Sequence, residues 1–361
     1  MAPSNNIADY DLGDILGVGT VGTVYACREK STGHSYALKK LHLAASRDPL
    51  IRARFKREIS VMQRLDHPNI VTCYGGGEST DGTLYYLMEL VDGGTVKGLL
   101  QMQPRMPWPA VVYIGSQLCS ALQCAHNNGV VHRDLKPSNL FLNRDADLRL
   151  GDFGIARDLH NTDLSASGMT VGTHGYMAPE QITGDDMVSG KADLYSLGCC
   201  LFEMLTGQAP FSGENAPLLF EQHLRATAPR VKSLAADCPD SLDTIVNELL
   251  AKKPDDRPFN ARQVQGVMIS LGEQVSERGD WGLPPRDAHS DSGDDSNNAD
   301  QAATGEMRGA DSVAALGHEI LLSQIAKQRQ GVVAKDIGWG RIAVIAVVIL
   351  LAIVAAFFSQ K

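Results

Sequence analysis

Hydrophobic positions follow two different spacings on either side of residue 91. Before that point apolar residues alternate with polar ones or form short runs, including one that starts at Ile70, which is typical of strands. Only Arg52–Leu65 in this part shows helical spacing. Later the apolar positions recur at helical spacing over Pro109–Asn128 and Val264–Leu271. The pattern predicts an α+β fold with a β-rich N-terminal lobe and a mainly helical C-terminal lobe.

Three further segments follow the helical region. Residues 273–336 are polar and acidic, with too little apolar surface to offset the entropy of ordering, and predict a flexible linker. Within it, 312–328 predicts a short helix with a partial apolar stripe, which would lie on a membrane surface, on a partner or in solvent. Ile342–Phe358 is a run of seventeen apolar residues and predicts a transmembrane helix over 337–358. We favour this reading over a buried core helix because only the tail 359–361 follows.

The overall charge and the cysteines narrow the class of protein. The formal net charge is −9, which provides no basic face to displace counterions, so we expect no nucleic-acid partner. The seven cysteines show no C-x-x-C pair and no metal-ligand spacing, which indicates buried thiols in a reducing compartment. With 43% hydrophobic and 21% charged residues, the chain has the composition of a globular protein with a sizeable core.

The glycine-rich segment Gly17–Gly22 has the pattern G-x-G-x-x-G, which two kinds of nucleotide site share. In a dinucleotide-binding fold the third glycine opens a helix. Here Val24–Cys27 continues as a β-rich run, which favours a hairpin whose backbone N–H groups would lie over phosphates. Lys39 and its neighbour Lys40 follow in the next predicted strand, where alternation sends their side chains to opposite faces, and by this pattern alone Lys39 would be an ordinary lysine at a strand edge.

A short stretch stiffened by proline, His132–Asn139, carries the candidate catalytic groups. The carboxylate of Asp134 could orient a hydroxyl and accept its proton, and the ammonium of Lys136 could neutralise a transferring phosphoryl group. The amide of Asn139 and the carboxylate of Asp152, eighteen residues after Asp134, supply hard oxygens of the kind that Mg²⁺ prefers. The set predicts phosphoryl transfer.

These residues, in the order His-Arg-Asp-Leu-Lys-Pro-Ser-Asn and then Asp-Phe-Gly, resemble the protein kinase family, and in particular the eukaryotic-like serine/threonine kinases of bacteria. Tyr36–Lys39 and Ala178–Glu180 match further segments of that family. The resemblance implies a two-lobed kinase domain over 10–272, with lobes at 10–91 and 92–272. It also implies transfer of the γ-phosphoryl group of ATP, with Mg²⁺, to serine and threonine hydroxyls of proteins.

The same resemblance assigns roles to individual residues. Asp134 and Lys136 would be the catalytic pair, and Asn139 and Asp152 would hold Mg²⁺. ATP would lie under the glycine-rich segment, with Glu58 orienting the phosphate-binding lysine and adenine held at the edge of the strand between the lobes. The nucleotide-binding residues assigned in this way are Leu16, Gly17, Val18, Gly19, Thr20, Val21, Gly22, Val24, Ala37, Lys39, Glu58, Met88, Glu89, Val91 and Phe141.

The polar loop over 155–177 resembles an activation segment. A phosphate on this loop would be received by Arg133 and by Arg157. Thr173 would hydrogen-bond the catalytic pair and help to form the wall of the substrate site. The candidate phosphorylation sites are Ser165, Ser167 and Thr170.

Three other residues match positions that support the family's fold. The resemblance implies a buried ion pair between Glu180 and Arg257. It also implies that Asp193 anchors the backbone of the catalytic loop. We expect these residues to act on stability and geometry rather than on the chemistry.

Two alternatives to a serine/threonine kinase remain. One is a membrane-tethered pseudokinase scaffold that binds partners without transferring phosphate, which degraded motifs would favour. The other is a small-molecule kinase, which Gly172-Thr173 and Ala178–Glu180 disfavour because they shape a peptide site. We expect a single-pass protein of the cell membrane that contacts the lipid bilayer, with its catalytic region in the cytoplasm because Lys335 and Arg341 precede the apolar run. A homodimer would allow autophosphorylation.

Overall fold

The computed structural model describes residues 3–4, 6–19, 22–153, 171–185, 188–274 and 312–329. Within these ranges the chain forms a β-rich N-terminal lobe and a mainly helical C-terminal lobe, as the sequence predicts. Most of the predicted linker, the predicted transmembrane helix over 337–358 and the tail 359–361 lie outside the described residues. Among the helices that are described, none has both the length and the apolar character needed to cross a bilayer.

The N-terminal lobe is a five-stranded antiparallel sheet in the order β1-β2-β3-β5-β4. Leu38 is fully buried on one face with Tyr85 and Leu87, whereas Lys39 lies opposite Tyr86 on the face that packs against a helix. Strand alternation therefore separates the core position of β3 from its functional position. The strands are β1 (Tyr10–Val18), β2 (Gly22–Glu29), β3 (Ser35–Leu41), β4 (Cys73–Glu78) and β5 (Leu84–Met88).

Helices α1 (Leu43–Arg47) and α2 (Pro49–Met62) connect β3 to β4. The sequence predicts α2 over Arg52–Leu65, three residues later at each end. The helix begins earlier because the Asp48 carboxylate accepts hydrogen bonds from the amides of Leu50 and Ile51, and Pro49 suits the first helical position.

The strand predicted from Ile70 begins at Cys73 instead. Ile70 forms only an isolated bridge to Leu150, and the Val71 amide donates to the carbonyl of Leu150 at 2.9 Å. These bonds tie the N-terminal lobe to the C-terminal lobe, so the apolar pair serves the junction between the lobes and not the sheet.

The core of the C-terminal lobe is built around two apolar helices, Trp108–Asn127 (α4) and Gly190–Thr206 (α6). Along helix α6 almost every residue from Ala192 to Leu205 is buried, as expected for a helix that is hydrophobic on all sides. Six of the seven cysteines are buried and all seven are free thiols. The helices are α3 (Val96–Met102), α4 (Trp108–Asn127), α5 (Pro179–Thr183), α6 (Gly190–Thr206), α7 (Ala216–Arg225), α8 (Asp240–Leu249) and α9 (Ala261–Gly272), and a two-stranded sheet is formed by β6 (Leu140–Leu142) and β7 (Leu148–Leu150).

One more helix, α10 (313–329), packs against this lobe. The sequence predicts a helix over 312–328 and leaves its contacts open between a membrane surface, a partner and solvent. In the structure the apolar side chains of α10 belong to the buried core of the C-terminal lobe. They are Leu316, Ile320, Leu321 and Ile325, each at most 3% exposed.

Candidate active site

A cleft of about 440 Å³ lies between the two lobes. Most of the residues that the sequence assigns to nucleotide, metal and catalysis line it, although they come from widely separated parts of the chain. Lys39 and Glu58 lie behind the cleft, Val18, Gly19 and Gly22 lie in the hairpin above it, and Thr20 and Val21 lie outside the described residues. The predicted residues that line it are Leu16, Gly17, Val24, Ala37, Met88, Glu89, Val91, Lys136, Asn139, Phe141 and Asp152.

The glycine-rich segment is a hairpin between β1 and β2, as the β-rich run after it predicts. Val18 pairs with Thr23, and the Gly19 amide donates to the carbonyl of Gly22 at 2.8 Å. A Cβ at Gly22 would lie 2.6 Å from the carbonyl oxygen of Lys40, so a larger residue would push β2 away from β3. The close backbone approach explains this glycine.

Lys39 forms its ion pair with Asp152, with 3.3 Å between Nζ and Oδ1. Burial opposes the charge on Lys39, but the phenol of Tyr86 and the carboxylates of Asp152 and Glu58 outweigh it and raise the pKa above its usual value. The lysine is therefore a fixed cation at the back of the cleft.

The pairing of Lys39 differs from the sequence prediction, in which Glu58 orients the lysine. The described residues show no ion pair between Lys39 and Glu58 within 4.0 Å. Glu58 is 6% exposed, and burial raises the pKa of its carboxyl, while its charge contributes to the raised pKa of Lys39. Glu58 thus acts on Lys39 through its charge, and the direct contact is made by Asp152.

Asp152 is held in an uncommon backbone conformation, with φ at +51° in the left-handed region. On one side, Gly151 accepts a hydrogen bond from Nε2 of His132 at 3.0 Å, and its amide donates to the carbonyl of Asn139 at 3.1 Å. On the other side, the buried ring of Phe153 packs on His132 with 4.7 Å between ring centroids. These contacts hold the strained residue with its carboxylate in the cleft.

The catalytic loop gathers three predicted side chains into one cluster. Lys136 donates from Nζ to Oδ2 of Asp134 at 2.9 Å. Asn139 donates from Nδ2 to the backbone carbonyl of Asp134 at 2.8 Å. Because the Asn139 nitrogen is bound to this loop, its amide oxygen is the group available to a cation. A carboxylate, an ammonium and an amide oxygen are therefore fixed relative to one another.

The oxygens of Asn139 and Asp152 both line the cleft. Two hard oxygens suit a divalent cation that takes its remaining ligands from phosphates and water. Among the described residues no group of three or more His, Cys, Asp or Glu side chains could hold a metal by itself. The donor set therefore fits a metal that arrives with a nucleotide.

Asp193 anchors the catalytic loop from the buried helix α6, which confirms the prediction. Its Oδ2 accepts from the amide of His132 at 2.8 Å, and its Oδ1 accepts from the amide of Arg133 at 2.8 Å. His126 donates from Nε2 to the same carboxylate at 2.8 Å. Burial alone would raise the pKa of Asp193, but these hydrogen bonds and nearby histidines hold it below its usual value. The carboxylate also supports the left-handed φ of +64° at Arg133.

The segment that follows β5 and connects the lobes, Glu89–Val91, offers backbone groups to a planar ligand. The Glu89 amide donates to the carbonyl of Thr72 at 2.9 Å, and the Glu89 carboxylate accepts from Nε of Arg149 at 3.1 Å. Of the polar groups of Glu89, the backbone carbonyl is therefore the one suited to adenine. Val91 lines the same part of the cleft, with Met88 at its rear.

The sequence profile of the family described as "Protein kinase domain" matches residues 10–266. The chain belongs to the protein kinase family. Relatives include the serine/threonine-protein kinase PknB of Mycobacterium leprae, 36% identical over 270 residues that make up 73% of this chain and 43% of that protein. The serine/threonine-protein kinase PknJ of Mycobacterium tuberculosis is 41% identical over 253 residues, which are 68% of this chain and 42% of that protein. The chain thus spans less than half the length of these curated relatives.

Membership of the kinase family explains the shape of the cleft and implies ATP and a divalent metal ion as its ligands. The family match also covers the ion pair predicted between Glu180 and Arg257, which the structure confirms at 2.6 Å. The described side chains do not include Thr173, and the candidate phosphorylation sites Ser165, Ser167 and Thr170 lie outside the described residues, as does Arg157.

Six residues of the kinase cleft are missing from the sequence prediction. Two of them, Val71 and Leu90, lie in apolar runs whose pattern does not show which residue faces a ligand, and the other four lie in segments without hydrophobic periodicity. Gly94 could have been found, because the Gly93–Gly94 pair closely follows the β-rich region that ends at residue 91 and glycine readily adopts the positive φ of such a turn. The six are Val71, Leu90, Gly94, Thr95, Ser138 and Gly151.

Proposed function

We propose that this protein is a serine/threonine protein kinase that transfers the γ-phosphoryl group of ATP to serine and threonine hydroxyls of proteins. The observation that carries the proposal is that Asp134 is hydrogen-bonded to Lys136 and Asn139, which line the same cleft as Asp152. The relatives named as serine/threonine-protein kinases support the choice of acceptor.

Each group in the cluster has a distinct task in this reaction. Asp134 would align the acceptor hydroxyl and take its proton, while Lys136, 2.9 Å from that carboxylate, would offset the charge on the transferring group. Lys39 would hold phosphate oxygens. Asn139 and Asp152 would hold the metal, for which Mg²⁺ is our proposal, and bound ATP would supply the phosphoryl group. The protein contributes mostly positioning and fixed charge.

Regulation by phosphorylation of the loop before Val171 is part of the proposal. Arg57 in α2 and Arg133 in the catalytic loop lie close enough that Arg57 lowers the pKa of Arg133, together with a larger effect of burial. Two neighbouring guanidinium groups suit a phosphate. A second copy of the chain would phosphorylate Ser165, Ser167 or Thr170.

We also propose that residues 337–358 anchor the protein as a single-pass helix in the cell membrane, with the kinase domain in the cytoplasm. The support is the apolar run Ile342–Phe358 with Lys335 and Arg341 before it. Retention of the full chain in the membrane pellet after alkaline carbonate extraction is the expected result, and release into the supernatant would contradict it.

The transferase proposal is tested with the full chain in detergent micelles, labelled ATP, Mg²⁺ and a generic basic protein as acceptor. We expect label on serine and threonine, lost in both Asp134→Asn and Lys39→Met. If the wild-type protein binds ATP yet transfers no label to the acceptor or to itself, the membrane-tethered scaffold becomes the better explanation.

A further inference from the structure

Helix α10 reaches from the end of α9 to the turn that joins the two lobes. At its start, the amide of Val313 donates to the carbonyl of Gln274 at 3.0 Å. At its end, the side chain of Gln328 lies against Gly94 and Gly98. A Cβ on Gly94 would lie 2.9 Å from Oε1 of Gln328, and one on Gly98 would lie 2.6 Å from its Nε2. The helix therefore makes contact at the rim of the nucleotide cleft.

The first turns of α10 pack closely on α4 and α9. A Cβ on Gly317 would lie 2.2 Å from the carbonyl oxygen of Pro109, so only glycine permits this approach. One turn earlier, Ala314 faces Gly272 of α9, where an added Cβ would be 3.2 Å away. Small residues on both sides of the contact bring the helices close together, which favours one fixed register.

Polar contacts continue along α10 after Gly317. His318 donates from Nε2 to the carbonyl of Asp145 at 2.7 Å, and its ring lies 5.1 Å from that of Tyr113. Gln324 donates from Nε2 to Oε1 of Gln103, the residue after α3, at 3.0 Å. With its buried apolar side chains, α10 thus has the contacts of a core helix of the C-terminal lobe, joined to α3, α4 and α9.

The turn that Gln328 touches is bonded to the floor of the cleft. The Gly93 amide donates to the carbonyl of Leu142 at 2.9 Å, and the Leu142 amide donates to the carbonyl of Gly94 at 3.0 Å. Thr95 then caps α3 by accepting from the amide of Gly98 at 3.1 Å. Gly94, Thr95 and Phe141, beside Leu142, all line the cleft. A shift of Gln328 would be transmitted to this surface through backbone contacts.

We propose that α10 positions the nucleotide cleft by bracing the Gly93–Gly94 turn and the start of α3, so that undocking of α10 weakens nucleotide binding. Gln328 is a positioning residue in this account, since it acts through Gly94 and lies outside the catalytic cluster. The proposal rests on the proposed function only in naming ATP as the ligand.

The experiment compares Gly317→Leu with Ala315→Leu in the full chain. Leucine at 317 would collide with Pro109 although it raises the helix propensity of α10, whereas Ala315 is exposed on the opposite side. We measure hydrogen exchange of 313–329 and of Val96–Met102, together with KM for ATP and kcat. For Gly317→Leu we expect lost protection of both segments and a KM at least about fivefold higher, equivalent to about 1 kcal/mol, with kcat within about twofold. Ala315→Leu should match the wild type.

A second pair of variants tests the contact without undocking the helix. Gln328→Ala removes the side chain at Gly94, and Lys327→Ala changes its exposed neighbour. We expect a smaller rise in KM for Gln328→Ala, with protection of α10 retained, and no change for Lys327→Ala. If Gly317→Leu does not fold, this pair still tests whether the contact between Gln328 and Gly94 affects nucleotide binding.

Three outcomes would contradict the proposal that α10 positions the cleft. The first is full hydrogen-exchange protection of α10 in Gly317→Leu, and the second is lost protection of α10 with an unchanged KM for ATP. The third is an equal effect of Gln328→Ala and Lys327→Ala on KM. The affinity for ADP with Mg²⁺, measured by calorimetry in all five proteins, separates this inference from the proposed function. Absence of transfer in the wild type would refute the transferase, whereas the ADP affinities would still show whether α10 braces the cleft.

Discussion

Arg257 donates two hydrogen bonds to the carboxylate of Glu180, which lies 77 residues earlier in the chain, at 2.6 and 2.8 Å. The Arg257 side chain is fully buried and that of Glu180 is 7% exposed. The guanidinium also donates to the carbonyls of Ala251, Lys191 and Lys252. One arginine therefore connects α5, α6 and the loop after α8.

Glu180→Gln should leave the guanidinium of Arg257 buried without its counter-charge. We expect the free energy of unfolding to fall by about 3–5 kcal/mol, measured by urea denaturation. Glu221→Gln is the matched control, because Glu221 and Arg225 form an ion pair with 60% and 80% exposed side chains. The control should change stability by no more than about 0.5 kcal/mol. Equal effects of the two changes would contradict the assignment.

Asp193→Asn replaces an anchor that accepts hydrogen bonds from two loop amides and from His126. An amide nitrogen would face one of these donors, and the catalytic loop would lose its fixed position. We expect kcat to fall at least about tenfold, a cost of about 1.4 kcal/mol, with KM for ATP little changed. His126→Gln removes one bond of the three and should have a smaller effect. An unchanged kcat in Asp193→Asn would show that the anchor is dispensable.

His223 is expected to make stability depend on pH. Burial, reinforced by the charge of Lys252, lowers its pKa from 6.5 to about 4. The pKa of His223 is lower in the folded protein than in the unfolded chain, so the fold favours the neutral ring. The resulting contribution to the free energy of unfolding is complete above pH 6.5 and is lost as the pH falls towards 4. The loss should approach about 3 kcal/mol.

The measurement for His223 is urea denaturation at a series of pH values, for the wild type and for His223→Phe. The wild type should lose more stability than the variant between pH 6.5 and 4, whatever their difference at neutral pH. Parallel curves would show that this histidine titrates normally. Nδ1 of His223 lies 3.0 Å from the hydroxyl oxygen of Tyr195, and the ring centroids of His223 and Phe211 are 5.0 Å apart. A phenylalanine at position 223 therefore keeps most of the packing.

Gly93→Ala tests the turn between the lobes. The new Cβ would lie 2.3 Å from the carbonyl oxygen of Asn143 and 2.4 Å from that of Leu142, so the turn must move. We expect roughly 1–3 kcal/mol of lost stability from overpacking, with weaker binding of ADP by calorimetry. Gly266→Ala, in α9 with open space around the new Cβ, should gain roughly 0.5–1 kcal/mol. A destabilised Gly266→Ala, or a neutral Gly93→Ala, would contradict these expectations.

The order of motifs was enough to predict the two-lobed fold and most of the cleft, because each motif combines a residue type with a backbone requirement. Asp152 and Asn139 reach the same cavity, and the amide of Gly151 donates to the carbonyl of Asn139 between them. The sequence could not predict that Lys39 pairs with Asp152 and not with Glu58. The pairing depends on which carboxylate the folded chain brings within reach of the lysine, and that distance is a property of the packed molecule.

The location of α10 shows a second limit of sequence reasoning. The apolar stripe over 312–328 predicts a helix with one buried face, but a stripe does not identify what covers it. The signal that would have helped is Gly317, since a glycine inside a helical pattern often marks a close contact. Its partner, the carbonyl of Pro109, is more than two hundred residues away in the chain.

The packing of α10 also bears on where the chain can be cut. The family match ends at residue 266, yet Leu316, Ile320 and Leu321 share one buried cluster with residues of α4 and α9. A recombinant fragment that stops at residue 272 would lack α10 and would expose to water the apolar side chains of α4 and α9 that α10 covers, among them Val112 and Met268. Apolar strips of this kind promote self-association, so such a fragment should oligomerise in light scattering. A fragment that ends after residue 329 should remain monodisperse, and it is the better starting point for crystallisation and inhibitor screening.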